Sequence, residues 1–334
     1  MKKYVSVLSA MVLILCLLAG CGGDAPESSA PVVNTTKTDI NVSVIAGPTG
    51  VGMVDLMQKQ ADGKAGNNYT FNVVTAPDQA VAAISNGTAD IAAVPTNLAS
   101  TLYKKTGGKV QVLALNTLGV LHILTNGEEI SSISDLRGKT IYTSGQGANP
   151  EYILRYVLRY HGLDADKDVK LEFVADNDTL ATVIANGTAK VAMVPEPKAS
   201  AVMMQNKAVK RALNMTEEWA AANKNGVPLT MGCVIARKEF VEQNPDAVRM
   251  FLNEYRASIA TVQANVETAA TLCETFKIIP KAAIAKSAIP NCGLTYVEGV
   301  QMKNQLSGYL TILHGYNPAA IGGALPADDF YYVQ

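Results

Sequence analysis

"ISNGTADIAAVPTNLAS" spans Ile84 to Ser100, and "IANGTAKVAMVPEPKAS" spans Ile184 to Ser200. Ten of the seventeen aligned positions are identical, at an interval of 100 residues. Each copy leaves an apolar helical run, turns at Asn-Gly, continues as a short apolar strand and stops at Val-Pro. Proline has no backbone N–H, so it ends sheet pairing and opens the next helix. A repeat of this length is too long for a solenoid and suits one small domain. The chain therefore carries two similarly built α/β halves.

The similarity extends upstream. "DINVSVIAGPTGVGMVDLM" starts the first half with an alternating strand, Ile40 to Ile45, then the turn Gly47 to Gly50 and a helix from Val51 onward. "GKTIYTSGQGANPEYILRYVLRYHGL" does the same in the second half. Its strand is Thr140 to Thr143, and Ser144 to Asn149 form a loop. The following helix carries Pro150 in its first turn and ends at Gly162. Second strands follow at Thr70 to Ala76 and Val169 to Ala175, with short helices near Asp78 to Ile84 and Asp178 to Ile184. Strand–helix alternation predicts a mostly parallel sheet flanked by helices in each lobe. Apolar extended runs at residues 110–127 and 225–240 are the expected crossings between lobes. That assigns 40–117 plus 228–334 to lobe 1 and 118–227 to lobe 2. Beyond Asn244-Pro245, Val248, Phe251, Leu252, Tyr255 and Ile259 recur at helical spacing.

The N-terminus reads as a separate segment. Two lysines precede an apolar run of 14 residues, Val5 to Leu18. That order is a secretory signal, too short for a membrane span. Leu18-Ala19-Gly20-Cys21 resembles a bacterial lipobox, which implies cleavage after residue 20 and a diacylglycerol thioether on Cys21. Such an anchor, with its acyl groups such as palmitate, satisfies the two-chain requirement for stable membrane attachment. Residues 21–39 are rich in Gly, Pro, Ser and Thr and read as a flexible tether.

Net charge is −1, and no basic patch points to nucleic acid. Cys233, Cys273 and Cys292 have no metal-ligand spacing. A Cys273–Cys292 disulfide stays open beside three buried thiols. His122, His161 and His314 are scattered, and His122 sits in an apolar strand. No nucleophile elbow or complete phosphate loop occurs. Catalytic residues, metal ligands and cofactors are therefore not expected.

In open α/β sheets, ligands bind outside the carboxyl ends of the strands. Four corners occupy such positions, each ahead of a helix whose N–H groups face outward. They supply Thr49 and Gly50, Thr96 and Asn97, Ser144, Gln146 and Gly147, and Glu196 as candidate ligand contacts. Each has a plainer alternative as a turn or helix-capping residue. Trp219, the single tryptophan, is a candidate stacking platform or a packing residue.

"ISDLRGKTIYTSGQGANPEYILRYVLRYHGLDADKDV" and "EEWAAANKNGVPLTMGCVIARKEFVEQNPDAVRMFLNEY" resemble solute-binding proteins of ABC importers. More narrowly, they look like the nitrate/sulfonate/taurine group and its thiamine-precursor (NMT1/THI5-like) relatives. The resemblance covers residues 40 to 332. It implies a two-lobed, type II periplasmic-binding-protein-like fold and a monomer held by its lipid on the outer face of the bacterial cytoplasmic membrane. Its implied partners are a small polar organic ligand, sulfonate-like or pyrimidine-like, and a permease with its ATPase. Two other readings stay open. One is an enzyme like the pyrimidine-synthesising relatives, whose Cys-rich motif this chain lacks. The other is a sensing or adhesive lipoprotein that reuses the fold.

Overall fold

The computed structural model describes residues 37–333. The signal segment, Cys21 and the tether up to residue 36 lie outside them. From Lys37 onward the chain forms one compact unit.

Eleven strands make two sheets. In chain order they are β1 Asp39–Ile45, β2 Asn68–Val74, β3 Ile91–Pro95, β4 Val110–Thr117, β5 Leu121–Asn126, β6 Thr140–Ser144, β7 Lys170–Val174, β8 Val191–Pro195, β9 Val209–Asn214, β10 Gly232–Arg237 and β11 Leu294–Glu298. The first sheet has the order β11-β4-β10-β3-β1-β2, and the second β7-β6-β8-β5-β9. In the first, β1, β2, β3 and β4 run one way and β10 and β11 the other. In the second, only β5 opposes its neighbours. Both sheets are thus mostly parallel and are flanked by helices, as expected. Asp39, read from the sequence as the last tether residue, already pairs with Asn68 in β2.

The repeat has a structural cause. After the helix that precedes β3 or β8, Gly87 and Gly187 adopt φ of +79° and +81°, where a side chain would be strained. Asn86 Oδ1 accepts the Thr88 N–H at 3.0 Å, and Asn186 Oδ1 accepts the Thr188 N–H at 2.9 Å. Asn-Gly-Thr is therefore the same side-chain-closed turn in both copies. The strands that follow, β3 and β8, are each buried along four successive residues, as strands covered on both faces must be. Pro95 and Pro195 are their last residues.

Helices cover the faces with apolar stripes. In Asn149–Tyr160, Tyr152, Ile153, Leu154, Val157 and Leu158 are buried at helical spacing. The 20-residue helix Pro245–Ala264 buries Val248, Phe251, Leu252, Tyr255 and Ile259, the stripe read from the sequence. The helix expected from Val51 is split into Pro48–Val51 and Val54–Ala61. Cys233, Cys273 and Cys292 are free and buried in this structure, as the plain reading of the thiols has it.

The chain passes from first to second sheet between β4 and β5, and returns between β9 and β10. The two passages touch at Gly119. A Cβ there would lie 2.1 Å from Thr216 Oγ1 and 2.7 Å from Leu229 Cδ2 on the return passage. The Leu118 N–H donates to the Gly293 carbonyl at 2.7 Å. Trp219, Leu229 and Met215 of the return passage share a core with Tyr309, Leu306 and Met302 of the long helix Gly299–Tyr316.

Replacing Gly119 by Ala forces Thr216 or Leu229 to move. The expected cost is about 1–3 kcal/mol, the range for overpacking. Urea unfolding of Gly119→Ala checks it, and a double variant with Thr216→Ala should recover part of the loss.

Candidate functional site

A cavity of about 500 Å³ lies at the carboxyl ends of the parallel strands of both sheets. The ends of β1, β3, β4, β6 and β8 contribute Ile45, Pro95, Thr117, Ser144 and Pro195. The segments that follow β2 and β7 contribute Pro77 and, from the second sheet, Ala175, Asp176 and Asn177. Val120 and Leu121 line it from the first passage between sheets, and Met231 from the second. Its volume suits a small organic ligand.

Of the sequence candidates, Thr49, Asn97 and Ser144 line this cavity. Asn97 is 9% exposed, and its Oδ1 accepts Asn149 Nδ2 at 3.1 Å. This bond joins the start of helix Thr96–Lys105 to the start of helix Asn149–Tyr160. It therefore spans from the first-sheet half to the second. Ser144 Oγ donates to Asn177 Oδ1 at 2.6 Å, which orients that amide with its NH2 free to donate.

The other candidates sit elsewhere. Gly50 is buried against the Ile45 carbonyl. Thr96 is fully buried and donates to the Thr230 carbonyl at 2.8 Å. Gln146 and Gly147 are not among the lining residues, and the Gly147 N–H donates to Glu151 at 2.7 Å. Trp219 is 1% exposed. Its ring lies 4.4 Å from Tyr156 and 5.6 Å from Tyr309, and its Nε1 donates to the Val227 carbonyl at 2.9 Å. It takes the packing role of its two sequence readings.

Glu196 follows a cavity residue, Pro195, yet its carboxylate points into the protein. One oxygen accepts the Ser200 N–H at 3.2 Å, and the other pairs with Arg211 of β9. Arg211 also donates to Asn291 Oδ1 at 2.8 Å, reaching the segment just before β11. Burial raises the Glu196 carboxyl above its ordinary value, against the opposing pull of the guanidinium. His122, 1% exposed, lies beside this pair, and neither ring nitrogen has a hydrogen-bond partner. Burial, and then the Arg211 charge, lower its pKa to about 4.

Sequence reasoning missed Asp176, Asn177 and Asn149. The strand-end rule reaches the four corners named above through the first and third strands of each repeat. Applied to the second, it would have marked residues 76–77 and 175–177. Among the described residues no cluster of three His, Cys, Asp or Glu side chains is placed to hold a metal. No helix among them is long and apolar enough to cross a membrane.

The buried neutral imidazole has a pH signature. An unfolded histidine takes up a proton near pH 6.5, whereas folded His122 does so only near 4. Between these values the unfolded chain binds more protons, so stability falls as pH falls. The full difference is about 3 kcal/mol for this shift. Glu196, with its raised carboxyl, has the opposite slope, so the comparison must be differential. Wild type is expected to lose about 3 kcal/mol more than His122→Leu across this window, read from urea unfolding of both proteins at its two ends.

The architecture and the chain's relatives agree. A crystal structure of an ABC transporter protein from Parabacteroides distasonis superposes with a TM-score of 0.75 at 22% identity, covering 89% of this chain and 99% of that one. The periplasmic aliphatic sulphonate binding protein of Escherichia coli gives 0.68 at 15% identity, covering 87% and 93%. The periplasmic nitrate-binding protein of Synechocystis PCC 6803 gives 0.59 at 15% identity, covering 84% and 82%. At these identities the likeness is one of fold. A Brucella abortus (strain 2308) protein named as a candidate binding protein is 25% identical over 214 residues, 63% of this chain. The alignment spans 64% of that relative's length. The family described as NMT1/THI5 like matches residues 73–269, more than half of the sequence, and the chain belongs to it.

Proposed function

We propose that this protein is the extracytoplasmic solute-binding component of an ABC importer. Residues 40–117 with 228–334 form one lobe and residues 118–227 the other. The two close on a small organic ligand in the cavity at the strand ends. Thr49, Asn97 and Ser144 contact it. Cys21 carries the lipid anchor, and the closed monomer is presented to a membrane permease and its ATPase. The observation that carries this reading is the cavity itself, built from the carboxyl ends of strands in both sheets. A ligand there touches both halves and so favours the closed arrangement, by as much as its affinity differs between closed and open. The solved neighbours named for sulphonate and nitrate binding support the importer role.

A thermal-shift screen tests the reading. The panel holds alkyl and aryl sulfonates, nitrate, amino acids and pyrimidines. A true ligand at about 100 times its Kd adds about 2.7 kcal/mol of stability. Ala148 lines the cavity, and Ala148→Trp would fill it. The expected outcome is a shift with one ligand class that Ala148→Trp abolishes. A shift that survives this substitution would put the ligand elsewhere. Silence from the whole panel, repeated on protein unfolded, dialysed and refolded, would favour a sensing or adhesive lipoprotein.

A further inference from the structure

We infer that the cavity selects an organic cation, an amine- or amidine-type nitrogen on a compact apolar body, and that Asp176 is the residue that sets this preference. The inference rests on the cavity being the ligand site, as proposed above, and deepens that reading.

The charge of the lining comes first. Asp176 is the one ionisable residue among the described residues that line the cavity. No Lys, Arg or His is present among them. The nearest basic residue in sequence to a lining corner, Lys198, lies outside the lining and is paired with Asp178, and its charge also reaches Asp176. Asp176 accepts the Thr179 N–H at 2.7 Å, and this bond holds its carboxyl below the ordinary range. The carboxylate is therefore ionised at neutral pH, and it retains lone pairs for a second donor.

The helix starts would ordinarily offset this by offering N–H groups to an anion. Here some of those groups are removed or used. Pro48, Pro77 and Pro150 occupy first-turn positions of three helices around the cavity and have no N–H. The Thr96 N–H donates to the Met231 carbonyl at 3.1 Å. The Thr75 and Ala76 N–H groups are taken by Gln79 Oε1, at 3.1 and 3.2 Å. An anion entering the cavity would lose its hydration and meet no basic side chain in the lining. Asn149, 5% exposed, lines the cavity and has its Oδ1 without a hydrogen-bond partner. That oxygen is itself shielded from solvent and meets a ligand donor only if the amide turns. Ile45, Leu98, Val120, Leu121 and Met231 supply apolar wall for the ligand's body.

Three ring probes of nearly equal size read the charge preference by calorimetry on the full chain. They are benzamidine, a cation; benzamide, neutral; and benzenesulfonate, an anion. Benzamidine should bind most tightly and benzenesulfonate least. Asp176→Asn keeps an oxygen that can cap the helix and removes the charge. It should weaken benzamidine about tenfold, the scale of one charge-assisted hydrogen bond, and leave benzamide nearly unchanged. A mere structural role for Asp176 would weaken both alike and would overturn the assignment. Tighter binding of benzenesulfonate than of benzamidine, abolished by Ala148→Trp, would overturn the charge preference while leaving the cavity as the ligand site. Binding of any probe that Ala148→Trp does not affect would overturn the site itself. Failure of all three to bind at millimolar concentration would overturn the proposed ligand class, and the cavity reading would then stand or fall on the thermal-shift screen.

Discussion

The two passages between the sheets are in close contact, and the rest of the molecule is arranged around that contact. Gly119 leaves no room for a Cβ beside Thr216 and Leu229. Gly293 approaches the same point, where an added Cβ would lie 2.5 Å from the Gly119 carbonyl oxygen. Thr117, Val120 and Leu121 lie within two residues of Gly119, and all three line the cavity. The tightest place in the chain's path is therefore also one wall of the candidate site. A change in how the passages pack would be felt at once where a ligand would sit, because packed interiors transmit displacement and have little free volume to absorb it.

Two further sets of contacts hold the halves in register. Tyr156 and Trp219 pack on Tyr316 and Tyr309 of the long helix Gly299–Tyr316. Arg211 connects Glu196, at the end of β8, with Asn291, ahead of β11. The first seam is apolar and tolerant of small rotations. The second is a partly buried charge network in which each member depends on its partners, because removing Arg211 leaves the fully buried Glu196 carboxylate unpaired. Cavity and network share one corner: Pro195 faces the cavity and its neighbour Glu196 faces the network.

The two copies of the repeat thus diverge at the point where function would be expected. Their strands, turns and closing prolines are alike. After Pro95 the first copy places Asn97 at the cavity wall. After Pro195 the second copy commits its acidic side chain to internal structure. The carboxylate that does face the cavity, Asp176, belongs to the preceding corner.

The sequence alone determined the backbone plan. Alternating strands, Asn-Gly turns, strand-ending prolines and the apolar stripe of Pro245–Ala264 are local signals, governed by φ, hydrogen-bond donors and periodicity within a few residues. They located β1 to β8, β10 and the helices between the repeated strands, but not β9 or β11, and with the strand-end rule they led to Thr49, Asn97 and Ser144. The direction in which each corner side chain points was decided only by tertiary structure. Glu196 and Trp219 stay open in the sequence between ligand contact and a structural role because their partners are distant: Arg211 lies 15 residues away and Tyr309 approaches from the far helix. A carboxylate turns toward the cation that solvates it, and an indole toward the space its shape fills. Both choices depend on neighbours that only the assembled fold brings together.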